Sequence, residues 1–148
     1  MYHTILVPLD GSPRAEAILP HVEDLAMRYH ATVVLLQVVE PEPLILGPDM
    51  VYPVVNQAMI EERIRAAEDY LAQKQADLQA KGINVRTIIS NGPVVEEIIR
   101  NAEKVDADLI AMASHGRTGL ARVFYGSVAA GILHRIDRPL LLIRAENG

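Results

Sequence analysis

The residues of this chain best suited to chemistry lie in one continuous stretch, from Ala113 to Val128, which holds three glycines and two arginines. An apolar run at 109–112 precedes it and an apolar-periodic segment follows it, so we predict a loop between a buried strand and a helix. Backbone N–H groups at a helix start have no partners within the helix, and glycines let a ligand approach the backbone closely. These features predict an anion site, with phosphate as the natural ligand.

Length and composition limit the class of protein. The chain has 148 residues, half of them hydrophobic, and is predicted to form one domain, 1–148, with a sizeable core. A net charge of −5 argues against a general nucleic-acid binder. The absence of cysteine excludes disulfides, thiolate metal sites and thiol nucleophiles. No apolar run approaches the ~20 residues that span a bilayer and no signal-type start is evident, so we expect a cytoplasmic protein without a membrane or nucleic-acid partner.

The apolar pattern predicts five strands that alternate with helices. The first helix has Ser12 as its predicted N-cap and Pro13 in its first turn, and Pro20 is expected to kink it before it ends near Arg28. The Pro-rich segment 40–53 is predicted to be a loop or flap. Strands are predicted at 5–7, 32–39, 85–89, 108–113 and 139–143. Further helices are predicted from 54 or 58 to 81, after Pro93 and from Gly126. On these helices we expect four glutamates to lie on solvated outer faces: Glu61, Glu62, Glu96 and Glu97.

This alternation predicts an α/β fold, in which an open five-stranded parallel sheet carries helices on both faces, as in Rossmann-like proteins. Ligands of such sheets bind outside the carboxyl ends of the strands, where the strand order reverses. The loop after the first strand, 8–12, and the loop after the fourth, 113–125, both emerge at that edge. We therefore expect a nucleotide-type fold with a phosphate-binding loop.

Three standard phosphate motifs can be tested against the sequence. A P-loop requires Gly-x4-Gly-Lys-Ser/Thr, and no such lysine is present. A dinucleotide fingerprint requires Gly-x-Gly-x-x-Gly after the first strand, where this chain has Pro-Leu-Asp-Gly-Ser-Pro. A receiver-type phosphoacceptor would use Asp10, but no second acidic residue adjoins it. None of the three motifs accounts for the loop.

Three stretches and one spacing carry a family resemblance. The stretches are Ile-Leu-Val-Pro-Leu-Asp-Gly-Ser at 5–12, Asp-Leu-Ile-Ala-Met-Ala-Ser-His-Gly at 108–116 and Arg-Pro-Leu-Leu-Leu-Ile at 138–143. Gly116 is followed by nine residues and then by Gly126 and Ser127. In these features the whole chain resembles the nucleotide-binding branch of the universal stress protein family, whose motif is Gly-x2-Gly-x9-Gly-Ser/Thr and whose fold is of the adenine nucleotide alpha hydrolase-like type. Ala113 stands where that motif has its first glycine.

The resemblance implies a role for each matching residue. Pro8, Leu9 and Asp10 would line the adenosine end of ATP, Val38 would flank the adenine, and Asp10 would lie near the ribose or a phosphate-bound Mg²⁺ or Mn²⁺ ion. The implied phosphate-binding residues are Ala113, Ser114, His115, Gly116, Arg117, Thr118, Gly119, Arg122, Gly126, Ser127 and Val128.

Structural roles for the same residues stay open at this point. Asp10 could serve only to brace the turn or cap the helix, and Val38 could be an ordinary core residue. Arg117 and Arg122 could be solvated surface charges, and His115 could pack beneath the loop. If position 113 requires a positive φ, alanine lowers the affinity, whereas if it requires only a small side chain, alanine serves.

The resemblance implies an ATP-binding protein that acts as a stress sensor or regulator. It also implies a homodimer joined through the C-terminal strand, Leu140 to Ile143, and an unknown regulatory partner. Bound ATP would shift the population of loop conformations that the partner recognises. Two alternatives remain: a slow ATP hydrolase, for which we identify no convincing catalytic residue, and a dimeric interaction module that binds no nucleotide.

Overall fold

The computed structural model describes residues 1–40, 43–47, 50–53, 57–114 and 126–145, with the backbone alone described for 43–47 and 50–53. The strands are β1 (Thr4–Leu9), β2 (Thr32–Val39), β3 (Pro43–Gly47), β4 (Met50–Pro53), β5 (Asn84–Asn91), β6 (Leu109–Ala113) and β7 (Leu140–Ile143). The helices are α1 (Leu19–Tyr29), α2 (Gln57–Gln79), α3 (Val94–Lys104) and α4 (Gly126–Arg135), and a 3-10 helix, Ala15–Ile18, precedes α1.

The main sheet has five parallel strands in the order β5-β2-β1-β6-β7. Alternate residues of β1 face opposite sides: Ile5 and Val7 pack with α1 and α2, and Leu6 packs with α3 and α4. Both faces of the sheet are therefore covered, which explains why its central strands are largely apolar. The predicted α/β class, with helices on both faces of a parallel sheet, is confirmed. None of the helices described is long and apolar enough to pass through a membrane.

The first helix differs from the prediction at its start. The Ser12 Oγ accepts a hydrogen bond from the Ala15 amide at 3.2 Å, so Ser12 does cap the chain there, but the cap begins the 3-10 helix rather than α1. Pro20 is the second residue of α1. Because N–H groups in a first turn have no acceptor within the helix, proline removes no hydrogen bond at that position. Pro20 therefore lies where the 3-10 helix passes into α1, and not in the interior of one continuous α-helix as predicted.

The predicted loop at 40–53 is also wrong where the structure describes it. Strands β3 and β4 pair in antiparallel fashion, with Pro43 opposite Pro53 and Leu44 opposite Tyr52. Pro43 and Pro53, two of the prolines that favoured a loop, stand at the outer ends of this hairpin, where a missing N–H weakens the ladder least. Whether these residues form strands therefore depends on where the prolines lie in each strand and not on how many prolines the segment contains.

One glutamate that was expected to be solvated is buried. Glu96 is exposed, but Glu97 is 8% exposed and its carboxylate accepts two hydrogen bonds from Arg100, at 2.6 and 3.0 Å. A Cβ on Gly92 would lie 2.8 Å from the Glu97 Oε1, so the glycine leaves the space that this carboxylate occupies. Pairing with Arg100 and the gap at Gly92 explain the burial that the helix pattern did not indicate.

Candidate functional site

Strand β1 lies at the point where the strand order reverses. It pairs with β2 on one side and with β6 on the other, so the chain leaving β1 and the chain leaving β6 emerge side by side. Loops that diverge from such a point leave a crevice at the carboxyl ends of the strands. A cavity of about 600 Å³ occupies this crevice.

The cavity brings together every predicted site residue that the structure describes. These are Pro8, Leu9, Asp10, Val38, Ala113, Ser114, Gly126, Ser127 and Val128. The other predicted residues lie outside the described part of the chain: His115, Gly116, Arg117, Thr118, Gly119 and Arg122. The end of β1 and the first turn of α4, which are far apart in sequence, therefore line one cavity.

The start of α4 forms one wall of the cavity. Gly126 has a φ of +67°, and a Cβ at this residue would lie 2.6 Å from the Ser114 carbonyl oxygen. Only glycine fits here, because any side chain would be strained by the φ angle and would collide with backbone. The amides of Ser127, Val128 and Ala129 belong to the first turn, where N–H groups lack acceptors within the helix, and all three residues line the cavity. The wall is suited to an anion.

Ala113 and Ser114 form the neighbouring wall at the end of β6. Ala113 is 9% exposed and is not among the described residues with positive φ, which outside glycine are His30 and Asp106. Alanine therefore suits a position that requires only a small side chain. The Oγ of Ser114 is buried and has no hydrogen-bond partner within the described residues.

Asp10 braces the loop after β1. Its Oδ1 accepts hydrogen bonds from the Ser12 amide at 2.9 Å and from the Ser12 hydroxyl at 2.5 Å. The bracing role that stayed open from the sequence is therefore real. Both hydrogen bonds use Oδ1, and Oδ2 makes no hydrogen bond to the described residues. Because Asp10 lines the cavity, Oδ2 is available to a cation or to a ligand hydroxyl.

Helix α2 forms the opposite wall, which is anchored by a charged cluster. The Tyr70 hydroxyl donates a 2.7 Å hydrogen bond to Glu16, and the Lys74 Nζ lies 2.8 Å from the same carboxylate. Burial and the hydrogen bond to the negative Glu16 raise the pKa of Tyr70 above its usual value. Burial raises the pKa of Glu16, but the hydrogen bonds from Lys74 and Tyr70 outweigh it, and the net pKa is lowered. The cluster fixes Tyr70 in the cavity wall as a neutral phenol.

The rim of the cavity is closed by contacts between three elements. An Arg63 guanidinium nitrogen donates to the Glu40 carbonyl oxygen at 2.5 Å, and the Glu40 carboxylate accepts from the Val94 amide at 3.1 Å. Arg63, Glu40 and Val94 all line the cavity. These two hydrogen bonds connect α2 and the start of α3 to Glu40, the residue that follows β2. Each bond joins one side chain to one backbone group.

The chain is similar to a known family along nearly all of its length. A model of the universal stress protein family matches residues 1–144. The chain belongs to the universal stress protein family. Universal stress protein MJ0577 of Methanocaldococcus jannaschii is 30% identical, over 99% of this chain and 98% of the relative.

Solved structures of other universal stress proteins share the fold. UspA from Lactobacillus plantarum is 26% identical, with a TM-score of 0.77 over 97% of this chain and 98% of that one. The universal stress protein from Archaeoglobus fulgidus in complex with dAMP is 20% identical and similar in fold, with a TM-score of 0.68 over 97% of this chain and 98% of that one.

Four polar residues of this universal stress protein line the cavity and were missed from the sequence: Gln37, Glu40, Arg63 and Tyr70. Gln37 did carry a signal, because it is a polar residue inside the otherwise apolar run of β2. Arg63 and Tyr70 carried none, since charged and aromatic residues at helical spacing are ordinary on an amphipathic helix. Within the described ranges, no group of three or more acidic or histidine side chains is placed to hold a metal ion on its own.

Proposed function

We propose that the cavity binds ATP, with the phosphates at the start of α4 and the adenosine between the ends of β1 and β2. The observation that carries the proposal is the first turn of α4, where a glycine with φ +67° and the amides of three cavity-lining residues meet the crevice. An anion at this position is stabilised by unpaired N–H groups and by the helix dipole. That the fold of the Archaeoglobus fulgidus protein holds dAMP supports an adenine nucleotide as the ligand class.

The remainder of the cavity fits a nucleoside. Pro8, Leu36, Val38, Ile98 and Met112 offer apolar surface, and polar side chains stand among them. A volume of about 600 Å³ lies within the range of small-molecule sites. In the proposed complex the predicted phosphate-binding residues between His115 and Arg122 complete the enclosure of the triphosphate.

Asp10 is the proposed contact for a divalent cation. Mg²⁺ is held by one or two carboxylates together with phosphate oxygens and water, so a single carboxylate with one free oxygen is sufficient when ATP supplies the other ligands. When bound, the ion would neutralise phosphate charge. Asp10 would then hold both the ion and, through Ser12, the loop after β1.

The proposed activity is regulation rather than rapid turnover. ATP would favour one population of the segment between β6 and α4, and a regulatory protein would recognise that surface. The segment joins the two walls that would contact phosphate, so occupancy of the site and conformation of the segment are coupled directly.

A homodimer through β7 completes the proposal. The strand is an edge of the sheet, and all four of its residues, Leu140 to Ile143, are apolar and half-buried in one chain. The Pro139 and Ile143 carbonyl oxygens accept hydrogen bonds from the amides of Ile110 in β6 and of Ser114, which follows β6. Because backbone groups alternate in direction along a strand, those of Leu140 and Leu142 face the outer edge, where a second copy can pair.

The test is calorimetric titration of nucleotide-stripped protein with Mg-ATP. Gly126→Asp is unsuitable as the disrupting variant, because any side chain at Gly126 meets the Ser114 carbonyl with or without ligand. Ser127 is exposed, and an aspartate in a first helical turn favours the helix while it repels phosphate. Gln57→Asp, an exposed first-turn residue of α2 outside the cavity, is the matched charge control.

We expect micromolar binding by the wild type and by Gln57→Asp, and at least tenfold weaker binding by a folded Ser127→Asp variant. Equal affinity in all three proteins would place the phosphates elsewhere. Absence of binding in all three would exclude the nucleotide site and favour the nucleotide-free dimeric interaction module.

A further inference from the structure

Gln37 is a polar side chain in a position that the fold otherwise fills with apolar ones. Strand β2 reads Thr-Val-Val-Leu-Leu-Gln-Val-Val, and its buried residues are all aliphatic. Gln37 stands opposite Leu9 of β1 and Ile89 of β5, at the carboxyl end of the sheet where the cavity opens. Its amide is thus carried by a central strand, which is a rigid support for a recognition group.

The amide of Gln37 has no hydrogen-bond partner within the described part of the chain. Its Oε1 is buried and unpaired, and its Nε2 lies 4.0 Å from the position that a Cβ on Gly11 would occupy. Buried side-chain amides are nearly always hydrogen-bonded in folded proteins. An unpaired amide in the wall of a ligand cavity is therefore explained most simply by a ligand that pairs with it.

Two other polar side chains of the cavity lining are already engaged. The Tyr70 hydroxyl donates to Glu16, and Arg63 donates to the Glu40 carbonyl. Gly11 has no side chain to offer. The protein holds these groups in bonds of their own, whereas the amide of Gln37 has no partner among the described residues.

We infer that Gln37 is the residue that selects adenine, by pairing its amide with the amino group and the adjacent ring nitrogen N7 of the base. A glutamine amide has one donor and one acceptor, which match that edge of adenine, whereas the same edge of guanine or hypoxanthine presents two acceptors. The terminal torsion of glutamine is broad, so the amide can turn its oxygen toward the cavity when a ligand N–H is present. This inference rests on the proposed ATP site and adds base specificity to it.

The experiment compares four ligands on three proteins by calorimetry. The ligands, each with Mg²⁺, are ATP, purine riboside triphosphate (which lacks the amino group), inosine triphosphate and 7-deaza-ATP (which lacks N7). The proteins are the wild type, Gln37→Met, which keeps the side-chain length without hydrogen bonds, and Gln73→Met on the exposed face of α2 as the matched control. Urea unfolding without ligand establishes that each variant is folded.

We expect the wild type and Gln73→Met to bind ATP about tenfold more tightly than each analogue, as for one good bidentate contact. Gln37→Met should bind ATP more weakly than the wild type does, and it should lose the preference for ATP over each analogue. A second variant, Gln37→Glu, keeps an acceptor for the amino group but has no donor for N7. It should retain the preference for ATP over purine riboside triphosphate and lose the preference over 7-deaza-ATP.

Other outcomes overturn the inference. If wild type and Gln37→Met discriminate among the four ligands equally, or if Gln37→Met weakens all four by the same factor, Gln37 is structural and the ATP site stands. If the wild type binds every triphosphate equally, the base is not selected by Gln37. If it binds none of them, the proposed function and this inference fail together.

Discussion

The Ser114 carbonyl oxygen lies directly against the α-carbon of Gly126, so close that a Cβ on the glycine would be 2.6 Å from it. The end of β6 and the start of α4 therefore touch at one point of the cavity wall. A contact this close holds the helix start and its unpaired N–H groups against the carboxyl edge of the sheet. The proposed anion site is a consequence of that packing.

Gly126→Ala is expected to destabilise the protein whether or not nucleotide is present. The left-handed backbone alone costs alanine about 1–2 kcal/mol, and the collision with the Ser114 carbonyl adds to it. Gly82→Ala is the control, since Gly82 has a φ of +85° but nothing within 4 Å of its Cβ position. Urea unfolding without ligand should give a larger loss for Gly126→Ala than for Gly82→Ala. Equal losses would contradict the close contact.

Tyr70→Phe is expected to lower the free energy of unfolding at pH 7 by about 1 kcal/mol. The substitution removes the hydrogen bond to the Glu16 carboxylate, and a bond to a charged group is worth more than a neutral one, although partial exposure reduces it. Tyr29→Phe, whose hydroxyl makes no hydrogen bond to the described residues, is the control and should change stability little. A comparable loss in both variants would show that the Glu16 contact contributes nothing.

The same cluster predicts how the effect depends on pH. The pKa of Glu16 is lowered in the folded protein, so its contribution is present above the unfolded value of 4.5 and is lost as the pH falls through the folded pKa. The pKa of Tyr70 is raised above its usual value of 10.0, so its contribution is present below pH 10 and is lost as the pH rises above it. Urea unfolding of wild type and Tyr70→Phe should differ most between these limits. A difference that grows in acid would contradict the assignment.

Leu142→Pro is expected to abolish the dimer without unfolding the chain. The backbone N–H of Leu142 faces the outer edge of β7, so proline removes an intermolecular donor and spares the bonds to β6. Leu141→Pro, which removes a donor toward β6, should instead destabilise the fold. Analytical ultracentrifugation should give twice the 16.3 kDa chain mass for the wild type and the single mass for Leu142→Pro. A wild-type monomer at micromolar concentration would remove the dimer from the account.

Arg100→Met should destabilise the protein more than Arg86→Met. Removing Arg100 leaves the Glu97 carboxylate buried without its ion-pair partner, whereas Arg86 is exposed on β5. We expect a difference of about 1 kcal/mol, since the guanidinium itself is largely in solvent. The comparison is made by urea unfolding at pH 7, and equal stability of the two variants would show that the pair contributes nothing.

The sheet was predictable from the sequence because its strands are short apolar runs that alternate along the chain with helical segments. The bounds of β2 match the prediction, and the cavity gathers Pro8, Ser114 and Ser127 as the carboxyl-edge rule requires. The hairpin of β3 and β4 and the burial of Glu97 were not predictable. The hairpin depends on the placement of Pro43 and Pro53 at its outer ends, and the burial of Glu97 depends on the space beside Gly92. Neither feature produces a local sequence pattern.

The cavity wall formed by α2 shows a further limit of sequence-based prediction. Arg63 and Tyr70 lie far in sequence from the loop after β1, and their spacing on α2 is that of any amphipathic helix. Their place at the site depends on how α2 packs across β2 and β5, and the bonds to Glu40 and Glu16 fix it. A family motif identifies the groups proposed to touch phosphate, whereas tertiary packing decides what else lines the pocket.

The central claim is that phosphate binds the first turn of α4, and amide chemical shifts test it most directly. Titration of ¹⁵N-labelled protein with Mg-ATP, followed by heteronuclear correlation spectra, should shift the amides of Ser127, Val128 and Ala129 most strongly. Smaller changes are expected at Asp10 and Val38, at the ends of β1 and β2, and the amides of α1 should not move. Saturable binding that leaves the first turn of α4 unchanged would contradict the account.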